Sequence, residues 1–76
     1  MIKDSSKLKR GQLLQVEVKN VVDRMPKDIL EILREDPRGI LIGYKMVDGN
    51  QFGLVLKLKK DLLFWFFEHE LSLVEE

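Results

Sequence analysis

Gly43-Tyr44-Lys45-Met46-Val47-Asp48-Gly49-Asn50 reads as the end of one strand running into a tight turn. Gly and Asn accept positive φ at little cost, so Asp48-Gly49-Asn50 is strong turn chemistry. The pattern predicts a strand from Ile40 to Val47 and a second, Gln51 to Lys59, folding back antiparallel on it. A further β signal, Leu62 to Phe67, follows the short polar break Lys59-Lys60-Asp61. The remaining segments attach to this meander.

Outward from the turn, side chains alternate with the period of a strand. Ile40, Ile42, Tyr44 and Met46 are expected to share one face, with Leu41, Gly43, Lys45 and Val47 on the other. Gly43 weakens a strand interior, which marks a bend or a close backbone approach. On the next strand Phe52, Leu54, Leu56 and Leu58 form one face, and Gly53, Val55, Lys57 and Lys59 the other. Leu62 to Phe67 is apolar at every position, so both of its faces need cover. Glu68-His69-Glu70 is expected as a short 3₁₀ turn before a final strand, Leu71 to Val74.

Upstream, Gln12 to Asn20 is expected as the first strand, with Leu14, Val16 and Val18 facing inward and Gln15, Glu17 and Lys19 facing water. Val21 to Met25 leads into a helix near residues 26–36. Pro26 suits the first helical position and Asp28 the first turn, where negative charge favours the helix dipole. Ile29, Leu30, Ile32 and Leu33 make an apolar stripe opposite Lys27, Glu31, Arg34 and Glu35. Asp36-Pro37 stops the helix, and Gly39 is expected to supply the bend into the next strand. So short a helix does not stand alone in water; its stripe must pack on the sheet.

These elements predict a mostly β fold: a small SH3-like barrel of about five antiparallel strands with one inserted helix. The competing arrangement is an open sheet with the helix across one face. Residues 1–11 read as a flexible basic arm and residues 12–76 as a single domain.

The chain has 76 residues, no cysteine, and 13 basic against 13 acidic residues. Without cysteine there is neither a disulfide nor a thiolate metal ligand, which fits a reducing compartment. Zero formal charge argues against a protein that lives by phosphate contacts. The charge is nevertheless uneven. Lys3, Lys7, Lys9 and Arg10 crowd the start, and Glu68, Glu70, Glu75 and Glu76 the end. Met1 to Arg10 has no apolar run of the kind a signal peptide needs. The longest apolar run is far short of the roughly 20 residues that span a bilayer.

Nothing in the sequence assembles a catalytic constellation. His69 is the single histidine, between Glu68 and Glu70, and reads as a surface residue in an acidic turn. Adjacent strand residues point to opposite faces, so this triplet does not converge on a metal ion. The glycines lack phosphate-loop spacing, and no calcium loop follows Asp48. No cofactor is expected. Phe64-Trp65-Phe66-Phe67 reads mainly as core, with alternate rings lining the barrel and the others packed under the helix. Trp65 and Tyr44 are the candidates for exposed interface anchors.

The segment Gly43-Tyr44-Lys45-Met46-Val47-Asp48-Gly49, together with Trp65-Phe66-Phe67-Glu68-His69-Glu70-Leu71 and Asp23-Arg24-Met25-Pro26, resembles PetP. This is the small cytochrome b6f-associated subunit of cyanobacteria and red-algal plastids. The likeness spans roughly Gly11 to Val74. It implies an SH3-like, non-catalytic, peripheral subunit on the cytoplasmic (stromal) face of the thylakoid that tunes photosynthetic electron transport through protein contacts with cytochrome b6f subunits; the free protein is expected to be a monomer. The partner surface is expected to include Tyr44, Lys45, Met46 and Asp48, completed by Trp65, Glu68 and Glu70. No nucleic acid is expected as a partner. The alternatives are an SH3-like module docking another photosynthetic complex, of the ferredoxin-docking type, or one binding a peptide or a nucleic acid.

Overall fold

The computed structural model describes residues 7–47 and 51–74. Five strands and one helix make up the domain: β1 (Leu13–Val16), α1 (Lys27–Glu35), β2 (Arg38–Val47), β3 (Gln51–Lys57), β4 (Leu63–Phe66) and β5 (Leu71–Leu73). The strands form one open antiparallel sheet in the order β4-β3-β2-β1-β5. With its single helix this small β domain is SH3-like. Its inner face carries Leu14, Val16, Leu41, Leu54, Leu56, Phe66 and Leu71, all essentially inaccessible. The helix stripe Ile29, Leu30, Ile32 and Leu33 belongs to the same core.

The long hairpin forms as expected, with pairing that continues out to Val47↔Gln51. The turn Asp48-Gly49-Asn50 itself lies outside the described residues. One feature of the hairpin departs from simple alternation. The register shifts between Leu41 and Gly43, so Ile42 is an extra, bulged residue. Before the bulge Ile40 pairs with Lys57 on the outer face. After it, Tyr44 pairs with Leu54 and Met46 with Phe52 on the inner face. The expected common face of Ile40, Ile42, Tyr44 and Met46 is therefore divided.

β1 ends at Val16 rather than Asn20. Its neighbour β2 begins at Arg38, opposite Gln15, and is preceded by Pro37, which has no N–H to continue a ladder. The Val16 N–H donates to the Pro37 carbonyl (2.7 Å) and the Glu17 N–H to the Glu70 carbonyl (2.7 Å). The chain then enters a 3₁₀ turn at Val18–Asn20, with Val18 still packed against the core.

Pro26 caps the helix instead of occupying its first position. Its ψ of 151° is extended, while its carbonyl accepts the Leu30 N–H (3.0 Å). At the other end Asp36 is extended, as a residue before proline should be. Gly39 does not bend the chain. It lies within β2, where an added Cβ would sit 2.9 Å from Leu58 Cδ2 and 3.0 Å from Leu56 Cβ. Glycine here permits a close approach.

β4 is shorter than the apolar run. Phe66 is buried and Phe64 packs on the core, both facing inward, while Leu63 is 55% exposed. Trp65 faces outward and lies on Gly53, where a Cβ would be 2.9 Å from Trp65 Cε3. It therefore packs on the sheet's outer side rather than under the helix. The turn before β4 holds Lys60 and Asp61 at φ 64° and 60°, closed by a Leu58 N–H donated to the Leu62 carbonyl (2.7 Å). Glu68–Glu70 forms the expected 3₁₀ turn.

Candidate partner-binding surface

Sheet pairing ends earlier on the flanks than on the hairpin. β1 leaves β2 after Leu13↔Ile40, and β4 leaves β3 after Leu54↔Phe66. Beyond these pairs Lys45–Val47 and Gln51–Gly53 continue as a two-stranded ribbon. Its inner side carries the cross-strand pair Met46 and Phe52, 61% and 55% exposed, with Tyr44 (44%) one step nearer the core. The core's own residues and the helix do not reach this far, so the inner face of the sheet becomes surface here. Lys45 is exposed on the opposite side, paired with Gly53.

A second cluster joins the segment before the helix to the end of the chain. The Glu70 side chain is 2% exposed. One of its oxygens, Oε2, accepts Arg24 Nε–H (2.7 Å); the other, Oε1, accepts both Arg24 Nη2–H and the Phe67 N–H, the latter at 2.8 Å. The Arg24 guanidinium stacks on Trp65, 4.5 Å from the ring centroid, and lies 5.4 Å from the Phe67 ring. Trp65 and Phe67 meet edge to face at 5.0 Å, and His69 stacks on Phe67 at 5.8 Å. Each group satisfies another: a carboxylate that would be costly to bury is held by a fork of donors, and the fork's face is covered by rings.

The residues expected at the partner surface thus occupy three places. Tyr44 and Met46 stand on the inner side of the ribbon. Lys45 and Trp65 are on the outer side, with Trp65 half covered by Arg24 and Phe67. Glu70 is not on the surface, because its carboxylate is the internal partner of Arg24. Glu68 is half-buried, and Asp48 lies outside the described residues. His69 is exposed. Among the described residues no group of three or more His, Cys, Asp or Glu side chains could hold a metal ion.

Two residues escaped the sequence reading. Phe52 reads from the sequence only as sharing a face with Leu54, Leu56 and Leu58; the signal for its exposure is its position opposite Met46, beyond the reach of the helix stripe. Arg24 carried no signal in spacing, since it meets Glu70 across 46 positions of sequence.

The fold and its surface define a small SH3-like domain whose aromatic and thioether side chains gather at a projecting hairpin. The family model described as "Cytochrome b6f, subunit Tsr0524-like" matches residues 11–72. The chain belongs to this family of cytochrome b6f subunits, the PetP family. The matched span includes both the hairpin and the Arg24–Glu70 pair. No curated protein and no solved structure matches the chain. No helix among the described residues is long and apolar enough to cross a membrane.

Proposed function

We propose that this protein is a non-catalytic subunit bound at the periphery of the cytochrome b6f complex, on the cytoplasmic (stromal) face of the thylakoid, where it modulates electron transport through protein contacts. Docking uses the ribbon: Tyr44, Met46 and Phe52 enter an apolar recess of the complex, and Lys45 contributes to orientation. The observation that carries this reading is the exposed Met46–Phe52 pair with Tyr44 beside it. Aromatic residues and methionine are the types enriched where proteins meet. Charges such as Lys45 steer and orient more than they bind. Glu70 has no part in this surface, since it is committed to Arg24.

The test is capture of the complex from mildly solubilised thylakoids by tagged protein. The wild type should retain cytochrome b6f subunits. The variants Met46→Ser and Phe52→Ser, altered at exposed positions, should lose them while staying folded. Lys45→Glu should slow association with little effect on the bound state. Retention undiminished by both exposed-residue changes would place docking elsewhere. Recovery of a different photosynthetic complex would keep the surface and replace the named partner.

A further inference from the structure

The sheet's outer face carries a second exposed apolar set, chemically unlike the first. Leu13, Ile40 and Leu63 stand in one row across the sheet, through the pairs Leu13↔Ile40, Ile40↔Lys57 and Lys57↔Leu63. They are 39%, 42% and 55% exposed. Leu13 and Ile40 share a shallow depression of about 280 Å³ with Lys57 and Lys59. Where the ribbon offers aromatic rings and a thioether, this row offers branched aliphatic chains interrupted and flanked by lysine. Protein interfaces are depleted in lysine. Apolar chains beside lysines are what interfacial amphipathic helices use to settle at the boundary between lipid headgroups and acyl chains, by buried apolar area plus attraction to anionic lipid, and this row sets the same chemistry on a sheet.

Cations outnumber carboxylates around the row, although the whole chain is neutral. Arg38, Lys57 and Lys59 are paired with Asp36, Asp61 and Glu35. These pairs are well exposed, so each is weak and its cation can exchange to another anion. Lys60, in the turn next to Leu63, makes no ion pair among the described residues. Nor do Lys9 and Arg10, which lead into Leu13 and are tied to β2 by the Gly11 N–H donated to the Leu41 carbonyl (2.7 Å).

We propose that the outer face of the sheet, the row Leu13–Ile40–Leu63 with the lysines at 57, 59 and 60, rests on an anionic bilayer surface. The aliphatic chains enter the boundary region and the lysines meet anionic headgroups. This face is distinct from the inner side of the ribbon, so the proposal goes beyond the docking reading and stands or falls separately.

The test is co-sedimentation of the full chain with phosphatidylcholine vesicles containing an increasing share of phosphatidylglycerol. Binding should appear with phosphatidylglycerol, be absent from pure phosphatidylcholine and weaken with salt. Lys59→Gln and Lys60→Gln should each weaken partition about fivefold. Leu63→Ser should weaken it further, while Met46→Ser should leave it unchanged. Circular dichroism verifies that each variant is folded. Absence of binding at every lipid composition overturns the proposal. So does equal binding by the wild type and the Leu63 and lysine variants, or loss that follows Met46→Ser instead of Leu63→Ser. Failure of the ribbon variants to affect capture of the complex would count against the docking reading alone.

Discussion

Arg24 and Glu70 form the one ion pair among the described residues with a fully buried partner, and they join the lead into the helix to the turn before the last strand. The other pairs lie at the surface, Lys57–Asp61 and Glu35–Lys59 exposed on both sides and Asp36–Arg38 with Asp36 half-buried, and contribute little. Removing one partner of a buried pair leaves an uncompensated charge, which is where the cost arises.

Arg24→Ala is therefore expected to destabilise the domain by about 3 kcal/mol, because Glu70 keeps only the Phe67 N–H inside the fold. For a domain of this size that is a melting-temperature loss on the order of 15 °C. Glu70→Gln should cost less, since an amide oxygen can still accept. Trp65 is the single tryptophan and lies under Arg24, so its emission should move to longer wavelength in Arg24→Ala before unfolding. Thermal melts followed by fluorescence and circular dichroism read both effects.

Three glycines should respond differently to alanine. At Gly53 the new methyl would press on the Trp65 ring, and at Gly39 on Leu56 and Leu58, so each should cost about 1–3 kcal/mol. At Gly43 no atom lies within 4 Å, and alanine should be neutral or stabilising by up to about 1 kcal/mol. Urea titrations of the three variants give the comparison.

The turn before β4 holds Lys60 and Asp61 in the left-handed region, at a cost to any residue with a Cβ. Lys60→Gly is expected to raise stability by about 0.5–1 kcal/mol, net of the extra freedom glycine has when unfolded. Lys60→Gln keeps the strain and should not raise it. The two variants thus separate backbone conformation from charge at this position.

Asp36 Oδ1 accepts Arg38 Nε–H at 3.0 Å and the Arg38 backbone N–H at 3.2 Å. The side-chain hydrogen bond, with smaller help from the backbone one and from nearby positive charge, holds the Asp36 carboxyl below its ordinary value of 3.8. A lowered folded-state pKa stabilises the fold above the unfolded value, and the contribution is lost as pH falls through the folded one. The stability difference between wild type and Asp36→Asn should be constant at neutral pH and shrink as pH falls from the ordinary carboxylate range toward the lowered folded-state value. Urea melts across the acid limb check this; a difference that grew on acidification would have the wrong sign.

The hairpin, the helix stripe and the 3₁₀ turn at Glu68–Glu70 could be read from local chemistry, because a turn, an apolar period and a proline each act within a few residues. The bulge at Ile42 could not, since nothing in Leu41-Ile42-Gly43 says which residue stays unpaired until Leu56 and Val55 are in place. The end of β1 depends on Pro37, a neighbour in space rather than in sequence. The same distance hides the role of Glu70: beside His69 it reads as part of a short turn and a candidate for the partner surface, and only Arg24 turns it inward. Phe52 lay within reach of sequence reasoning, because its partner across the hairpin was predictable and exposed.

The inner side of the ribbon is the surface proposed to meet the cytochrome b6f complex. The most direct measurement is a two-dimensional amide NMR spectrum of isotopically labelled protein titrated with the purified, detergent-solubilised complex. Selective line broadening is expected at Tyr44, Met46, Phe52 and their immediate neighbours, with the Arg24–Glu70 cluster spared. Broadening confined to other residues, or none at concentrations where the complex is captured, would contradict it.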